Sequence, residues 1–242
     1  MASPQTAAML VIGNELLSGK FEERNIAVLA PLLFELGIQL RRVVVCPDEV
    51  DVIAADLKSL KSHHDHVFTS GGVGPTHDDV TMAGVARAFD SQVSRSAELE
   101  ALLRKFFGDR LRQDHLRMAD VPEGVELMWA EGVPWPVTRL GNVWILPGLP
   151  AIFARKMPVL RAHLKSGPPF VSRLVRTRSD EGMMASTLQH LVERFSDVRI
   201  GSYPLWGEEA KLIVSFDGKD RGRVDEAAQA FIEAVPADEL ME

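Results

Sequence analysis

The sequence predicts an α/β protein: a mostly parallel sheet covered by helices on both faces, followed by a small α+β lobe. Two observations predict it. Short apolar runs alternate with segments of helical periodicity through the first two thirds of the chain, and such alternation builds parallel sheets. Then Lys165-Ser166-Gly167-Pro168-Pro169 interrupts the pattern, as a linker does, and a shorter strand–helix–strand–strand–helix succession follows. The expected domains are residues 1–166 and 170–242.

Residues 6–12 read as a buried strand ended by Gly13. From Asn25, Ile26, Leu29, Leu33 and Leu36 recur at helical spacing, and Gly37 supplies a stop. Pro31 should kink this helix or mark its first turns. Residues 39–46 read as a second strand and 50–60 as a second helix. A third strand, 67–70, leads through a glycine-rich turn into a helix over 80–89. Residues 96–120 have a helical pattern, read as two short helices broken near Gly108. Pro122 and Gly124 open a loop, 125–129 reads as a strand, and 137–140 and 143–146 form a hairpin about Gly141-Asn142. One helix over about 149–164 closes the domain. Past the linker the expected strands are 171–178, 198–203 and 211–216, and the helices 182–194 and 223–234.

Composition narrows the function classes. A hydrophobic share of 46% with 25% charged residues is that of an ordinary globular chain. The formal net charge is -7 and no basic tract is longer than Arg41-Arg42, which argues against a nucleic-acid partner. The single cysteine, Cys46, excludes an internal disulfide and lies in an apolar run as a small hydrophobe. The N-terminus lacks the pattern of a signal peptide and no run is apolar enough to span a membrane, so a cytoplasmic protein is expected.

The most informative stretch is Ser70-Gly71-Gly72-Val73-Gly74-Pro75-Thr76-His77-Asp78-Asp79-Val80-Thr81. Glycines let the backbone approach a ligand and turn N–H groups towards an anion, and paired aspartates offer hard oxygen ligands to a divalent cation. The plain alternative is a tight turn with Thr76, Asp78 or Asp79 capping the next helix. In a parallel sheet, however, ligands bind outside the carboxyl ends of the strands. Strand one leads into Gly13-Asn14-Glu15, strand two into Cys46-Pro47-Asp48 and strand three into the glycine turn, so Glu15, Asp48, Asp78 and Asp79 are expected at one edge. Two familiar motifs fail. Between Gly13 and Gly19 stand five residues where a P-loop has four, with Phe21 in place of its hydroxyl, and Gly72-Val73-Gly74 lacks the third glycine of a dinucleotide fingerprint. His63, His64 and His66 lack the spacing of a zinc site. Arg173, Arg176 and Arg178 read as a solvated strand surface.

These residues carry a resemblance. The pattern Gly-x-Glu-Leu-Leu-x-Gly from Gly13, then Asn25, then Val45-Cys46-Pro47-Asp48, the glycine motif, and Leu146-Pro147-Gly148-Leu149-Pro150 resemble the molybdopterin-binding-like domain family. Within it the chain is similar to the N-terminal part of competence/damage-inducible protein A and to the matching domain of eukaryotic FAD synthase. Asp180-Glu181 and Gly201-Ser202-Tyr203-Pro204-Leu205-Trp206-Gly207 look most like the FAD synthase branch.

The resemblance implies three α/β/α layers before the small lobe, and a metal-dependent pyrophosphatase that splits ADP-ribose or FAD to release AMP. It implies Asp48, Asp78 and Asp79 as ligands of Mg²⁺, Mn²⁺ or Co²⁺, with Glu15 orienting a metal or water. It assigns Gly13, Asn14, Asn25, Ser70, Gly71, Gly72, Gly74, Thr76, Pro147 and Gly148 to substrate binding. Asp48 and Asp79 match the acidic pair of related adenylyltransferases, whereas Asp78 stands where those have arginine. Two segments depart from the family: His115-Leu116-Arg117-Met118 loses both amides of an Asn-x-x-Gln pattern, and Gly132-Val133-Pro134-Trp135-Pro136 replaces Gly-x-Ala-Pro-Gly. The alternatives are a non-catalytic carrier of a pterin or nucleotide, and a molybdopterin adenylyltransferase. A homo-oligomer, dimer or trimer, is expected by the same likeness. Neither the deamidase activity of the bacterial relatives nor FAD synthesis is expected of these residues.

Overall fold

The computed structural model describes residues 4–165 and 167–241, and these fall into two units, Met1–Gly167 and Pro168–Glu242. Ser166 of the expected linker lies outside the described residues. The first unit begins β1 (Thr6–Ile12), α1 (Asn14–Leu17), α2 (Ile26–Glu35), β2 (Gln39–Cys46), α3 (Val50–His63), β3 (His66–Ser70) and α4 (Thr81–Ala88). It continues β4 (Val93–Arg95), α5 (Ala97–Phe107), β5 (Asp120–Pro122), β6 (Glu126–Met128), β7 (Val137–Leu140), β8 (Val143–Leu146), α6 (Pro150–Ala154) and α7 (Met157–His163). The main sheet has the order β2-β1-β3-β8-β7-β6. Its members β2, β1, β3 and β8 are parallel; β7 and β6 add antiparallel.

Residues 7–12 of β1 are buried throughout. Successive side chains of a strand point to opposite faces, so such a strand needs cover on both. Ala7, Met9 and Val11 pack with Leu29, Leu32 and Leu33 of α2 and with Phe153, Val159 and Leu160 of α6 and α7. Ala8, Leu10 and Ile12 pack with Ile53, Ala54 and Leu57 of α3 and with Val85 and Ala88 of α4. The result is the expected three-layer arrangement. Each fully buried leucine in these layers contributes about 1.5–3 kcal/mol of transfer free energy.

The α3–α4 contact is close enough to test. A Cβ built on Gly84 of α4 would stand 2.4 Å from Ile53 Cγ2 and 2.7 Å from its Cβ. Alanine gains up to about 1 kcal/mol over glycine as a helix former, but overpacking a closed core costs about 1–3 kcal/mol. Gly84→Ala is therefore expected to lower the thermal midpoint by a few degrees, roughly 2–4 °C per kcal/mol at this size. A raised midpoint would show that the two helices can separate freely.

Several elements differ from their sequence reading. The closing helix breaks into α6 and α7 at Arg155 and Lys156. Pro158 supplies no N–H to continue the ladder, and it sits at the start of α7, where that loss is tolerated. Residues 113–119 form a 3-10 helix rather than an α-helix, after a break where Gly108 takes φ +52°. Pro122, read as a loop opener, ends β5, which pairs antiparallel with β4. These strands are three residues long and are held by a bidentate pair, Arg95 Nε to Asp120 Oδ1 at 2.7 Å and Nη2 to Oδ2 at 3.0 Å. Neither strand, nor the single turn of α1, has an apolar pattern long enough to be read locally.

The second unit runs β9 (Val171–Thr177), α8 (Glu181–Arg194), β10 (Arg199–Pro204), β11 (Leu212–Gly218), α9 (Arg221–Ala234) and β12 (Leu240–Met241). Its antiparallel sheet has the order β10-β11-β9-β12, with the two-residue β12 added to the expected pattern. Asp180 and Asp220 cap α8 and α9 by accepting from the N–H groups of Met183 and Arg223. Val175, Leu212, Val214 and Phe216 face Met184, Leu191, Ala227 and Phe231 in one core. Arg173 pairs with Asp225 at 3.6 Å and Arg178 with Glu209, which accounts for two of the three strand arginines. Among the described residues no helix is long and apolar enough to cross a membrane.

Candidate active site

The carboxyl ends of β1, β2, β3 and β8 are tied together by short main-chain contacts. Gly13 N–H donates to Cys46 O at 3.1 Å, and Gly71 N–H donates to Leu146 O at 3.3 Å. Gly71 has φ +108°, and a Cβ there would lie 2.2 Å from Ile12 O; a Cβ on Gly148 would lie 3.1 Å from Gly71 Cα. These glycines therefore let three strand ends close on one another.

Asn25 bolts this edge to α2. It is 2% exposed, and its Nδ2 donates to Ser70 Oγ at 2.8 Å and to Gly148 O at 2.7 Å. An asparagine before a helix ordinarily caps it. Here its side chain is diverted, and Glu23 takes over the cap by accepting from the Asn25 and Ile26 N–H groups. Asn25 Oδ1 has no partner among the described residues. Thr81, fully buried, donates to Gly71 O at 2.8 Å and anchors α4 to the same turn. Its role was not foreseen, although it closes the motif.

Past Gly71 the Gly72 carbonyl accepts from Thr81 N–H at 3.0 Å, but three successive N–H groups stay open. The N–H groups of Gly72, Val73 and Gly74 take no partner among the described residues. Adjacent N–H groups left open in a glycine turn form an anion-binding concavity. The expectation that Gly71 joins them is corrected, because Leu146 holds its N–H as part of the closure between β3 and β8.

The acidic residues fall into three places. Thr76 gathers Asp78 and Asp79: its N–H donates to Asp79 Oδ2 at 2.8 Å, and its hydroxyl lies 2.6 Å from Asp78 Oδ1 and within reach of Asp79. That turn does not cap α4, whose N-terminal residue Val80 makes no side-chain cap. The Thr76 hydroxyl holds the Asp78 carboxyl below the usual carboxylate range, so it is ionised at neutral pH. Asp48 accepts from Asn14 N–H at 2.8 Å and ties the end of β2 to α1. Glu15 lies over Gly13, where a Cβ would meet its Oε1 at 2.4 Å, and Asp79 lies over Gly74 in the same way at 2.6 Å. Two glycines thus make room for two carboxylates.

Among the described residues no three His, Cys, Asp or Glu side chains gather as a metal-holding group by themselves. The donor set nevertheless fits a hard cation. Mg²⁺ is ordinarily held by one or two carboxylates plus waters and substrate phosphates rather than by an all-protein cage. Exposed Asp78 and half-buried Asp79, beside open N–H groups, are of that kind. Pro147 and Gly148 border the turn from β8, and Asn14, Thr76 and Gly148 are exposed, so the site is an open surface.

Nearby titratable groups add little chemistry. Burial, then Asp56 and Asp48, push the Cys46 thiol up to about 12, which leaves it inert. His63 and His64 donate to Ser59 O and Leu60 O and belong to the end of α3. Lys156 is 5% exposed, and its Nζ donates to Trp135 O at 2.6 Å, inside the divergent 132–136 segment. Burial pushes its amine down to about 8. The unfolded chain keeps that proton to about 10.4, so it binds more protons than the fold between these values. Stability is then expected to rise by about 1–3 kcal/mol as pH goes from 8 to 10. Lys156→Met should remove the rise; urea titrations at both pH values check this.

An α/β/α domain with an open glycine turn at its carboxyl edge is the class that the geometry defines. The family described as probable molybdopterin binding domain matches residues 8–164, and the FAD synthase, middle domain matches residues 169–242. The chain belongs to the molybdopterin-binding domain family, with an FAD synthase middle domain as its second unit. A protein of Archaeoglobus fulgidus is 31% identical over 93% of this chain and 96% of its own length. A probable FAD synthase of Caenorhabditis elegans is 32% identical over 84% of this chain, and a CinA-like protein of Frankia casuarinae is 30% identical over 90%. The chain spans 44% and 55% of those two relatives. The CinA protein of Thermoplasma acidophilum, of unknown function, superimposes with a TM-score of 0.60 at 28% identity, covering 66% of this chain and 97% of its own.

Proposed function

We propose that this protein is a divalent-metal-dependent pyrophosphatase that hydrolyses the diphosphate of ADP-ribose or FAD and releases AMP. The observation that carries the reading is the row of open N–H groups at Gly72, Val73 and Gly74 beside the Asp78–Asp79 pair. Those donors suit the oxygens of one phosphate, and Asn25, Ser70, Gly71 and Gly148 hold the turn that presents them. Asp78 and Asp79 would hold Mg²⁺, Mn²⁺ or Co²⁺, completed by water and phosphate oxygens; the expected third ligand, Asp48, is instead tied to Asn14 N–H. When bound, such an ion neutralises charge on phosphoryl oxygens and lowers the pKa of water. Glu15 orients the water, whose oxygen adds to phosphorus as the bridging P–O bond breaks. ADP-ribose then gives AMP and ribose 5-phosphate; FAD gives AMP and FMN.

Relatives named probable FAD synthase and aspartate in place of the adenylyltransferases' arginine support a nucleotide substrate. A second reading, binding of a pterin or nucleotide without turnover, draws on one specific observation. His115, where the family has an amide, stacks on Phe107 at 4.0 Å and accepts from Arg112 N–H, so its Nδ1 is not free to replace that amide. Chromatography of ADP-ribose and FAD after incubation separates the two readings: AMP with its co-product supports hydrolysis, and intact ligand retained by folded protein supports binding only. Assembly as a dimer or trimer belongs to the same proposal and is read by light scattering.

A further inference from the structure

The second unit carries a feature that diphosphate chemistry does not use. Helix α8 has two apolar stripes. Met184 and Leu191 enter the core, Leu188 packs at its border, and Ala185, Leu188 and Val192, spaced three and four residues apart, line a groove against β10. The groove is shallow and open to solvent, with a volume of about 540 Å³, and Glu181, Ile200 and Ser202 contribute to its wall. Val192 remains 46% exposed.

Strand β10 is an edge of its sheet. Leu205 N–H donates to Lys211 O, and Pro204 lies opposite Leu212, so Leu205 and Lys211 are a hydrogen-bonded pair. Antiparallel ladders alternate bonded and unbonded pairs. Tyr203 and Gly201 therefore bond inward to Ile213 and Ser215, and the N–H and C=O groups of Ile200 and Ser202 point off the edge. The same two residues turn their side chains to the groove. A free edge beside an apolar helix stripe is the geometry of recognition by strand addition.

We propose that this groove binds an extended peptide, which pairs with Ile200 and Ser202 and seats apolar side chains against Ala185, Leu188 and Val192. Charge selects the occupant. Glu181 stands in the wall, with the Ser202 hydroxyl donating to it, and among the described residues no basic side chain lines the cavity. Phosphate-bearing ligands are thereby disfavoured and a lysine or arginine in the peptide is favoured. A second copy of β10 would bring Ile200 and Ser202 on its groove-facing side, and no cation for Glu181.

A randomised octapeptide library displayed on phage, selected against the full immobilised chain, tests this. Enriched peptides should alternate apolar residues and carry a lysine or arginine. A synthetic peptide of the enriched sequence should shift the amide resonances of Ile200 and Ser202. Ala185→Trp, which fills the groove from an exposed helix position, should weaken binding at least about tenfold, a loss of about 1.4 kcal/mol. Glu181→Gln should weaken the basic peptides selectively. AMP release should be the same in both variants as in the parent chain, so a failure here is distinct from a failure of the hydrolase reading. No enrichment over the Ala185→Trp chain, or equal binding by it, would overturn the proposal. So would concentration-dependent self-association that Ala185→Trp abolishes, which would assign the groove to a second copy.

Discussion

Asp79→Asn is expected to cut AMP release from ADP-ribose or FAD by at least about 100-fold, or roughly 3 kcal/mol of transition-state stabilisation. The substitution isolates charge. An asparagine Oδ1 can still accept the Thr76 N–H that the carboxylate now takes at 2.8 Å, so the turn persists. The thermal midpoint should barely move, because Asp79 lies in a surface turn and surface changes of this kind stay within about 0.5 kcal/mol. Asp79→Ala removes charge and acceptor together. Equal loss in both variants assigns the effect to the negative charge; activity retained by Asn but lost by Ala would reduce Asp79 to a brace for the turn.

Gly71→Ala is expected to be the most damaging single-methyl change in the first unit. Its φ of +108° is strained for any side chain, and its Cβ would sit 2.2 Å from the carbonyl oxygen of Ile12. Both groups are main chain, and Ile12 is 2% exposed at the end of a fully packed strand, so neither can yield cheaply. Backbone strain of about 1–3 kcal/mol and the overlap together should cost about 3–5 kcal/mol by chemical denaturation. Gly132→Ala is the control. It also has positive φ, +75°, but no atom of the described residues lies within 4 Å of its added Cβ, and it should cost only about 1 kcal/mol. Similar losses in the two variants would mean that the strand ends do not close as described.

The contrast between these glycines shows what the sequence could reveal. Glycines and prolines mark turns wherever they occur, but the neighbour that makes Gly71 irreplaceable, Ile12 O, is distant in the chain. The long strands were legible because β1 is apolar at both parities, and the candidate edge was legible because parallel strands place their following loops together. Asn25 was legible only as a match to a family pattern. Locally it reads as a helix cap, and its contacts with Ser70 and Gly148 are tertiary. The tie between Asp48 and Asn14 and the use of Thr76 to gather two carboxylates are likewise side-chain contacts, which leave no periodicity to read. The four-carboxylate convergence was too simple. Strand ends met, yet the Asp48 carboxylate takes Asn14 N–H and the Glu15 carboxylate lies over Gly13, and neither bonds with the Thr76 turn.

The most direct test is AMP release from ADP-ribose and from FAD, measured in parallel with EDTA, Mg²⁺, Mn²⁺ and Co²⁺, for the parent chain and Asp79→Asn. The account predicts AMP from at least one substrate, none with EDTA, and near-complete loss in the variant. No AMP with any metal from folded protein, or release that neither EDTA nor Asp79→Asn affects, would contradict it.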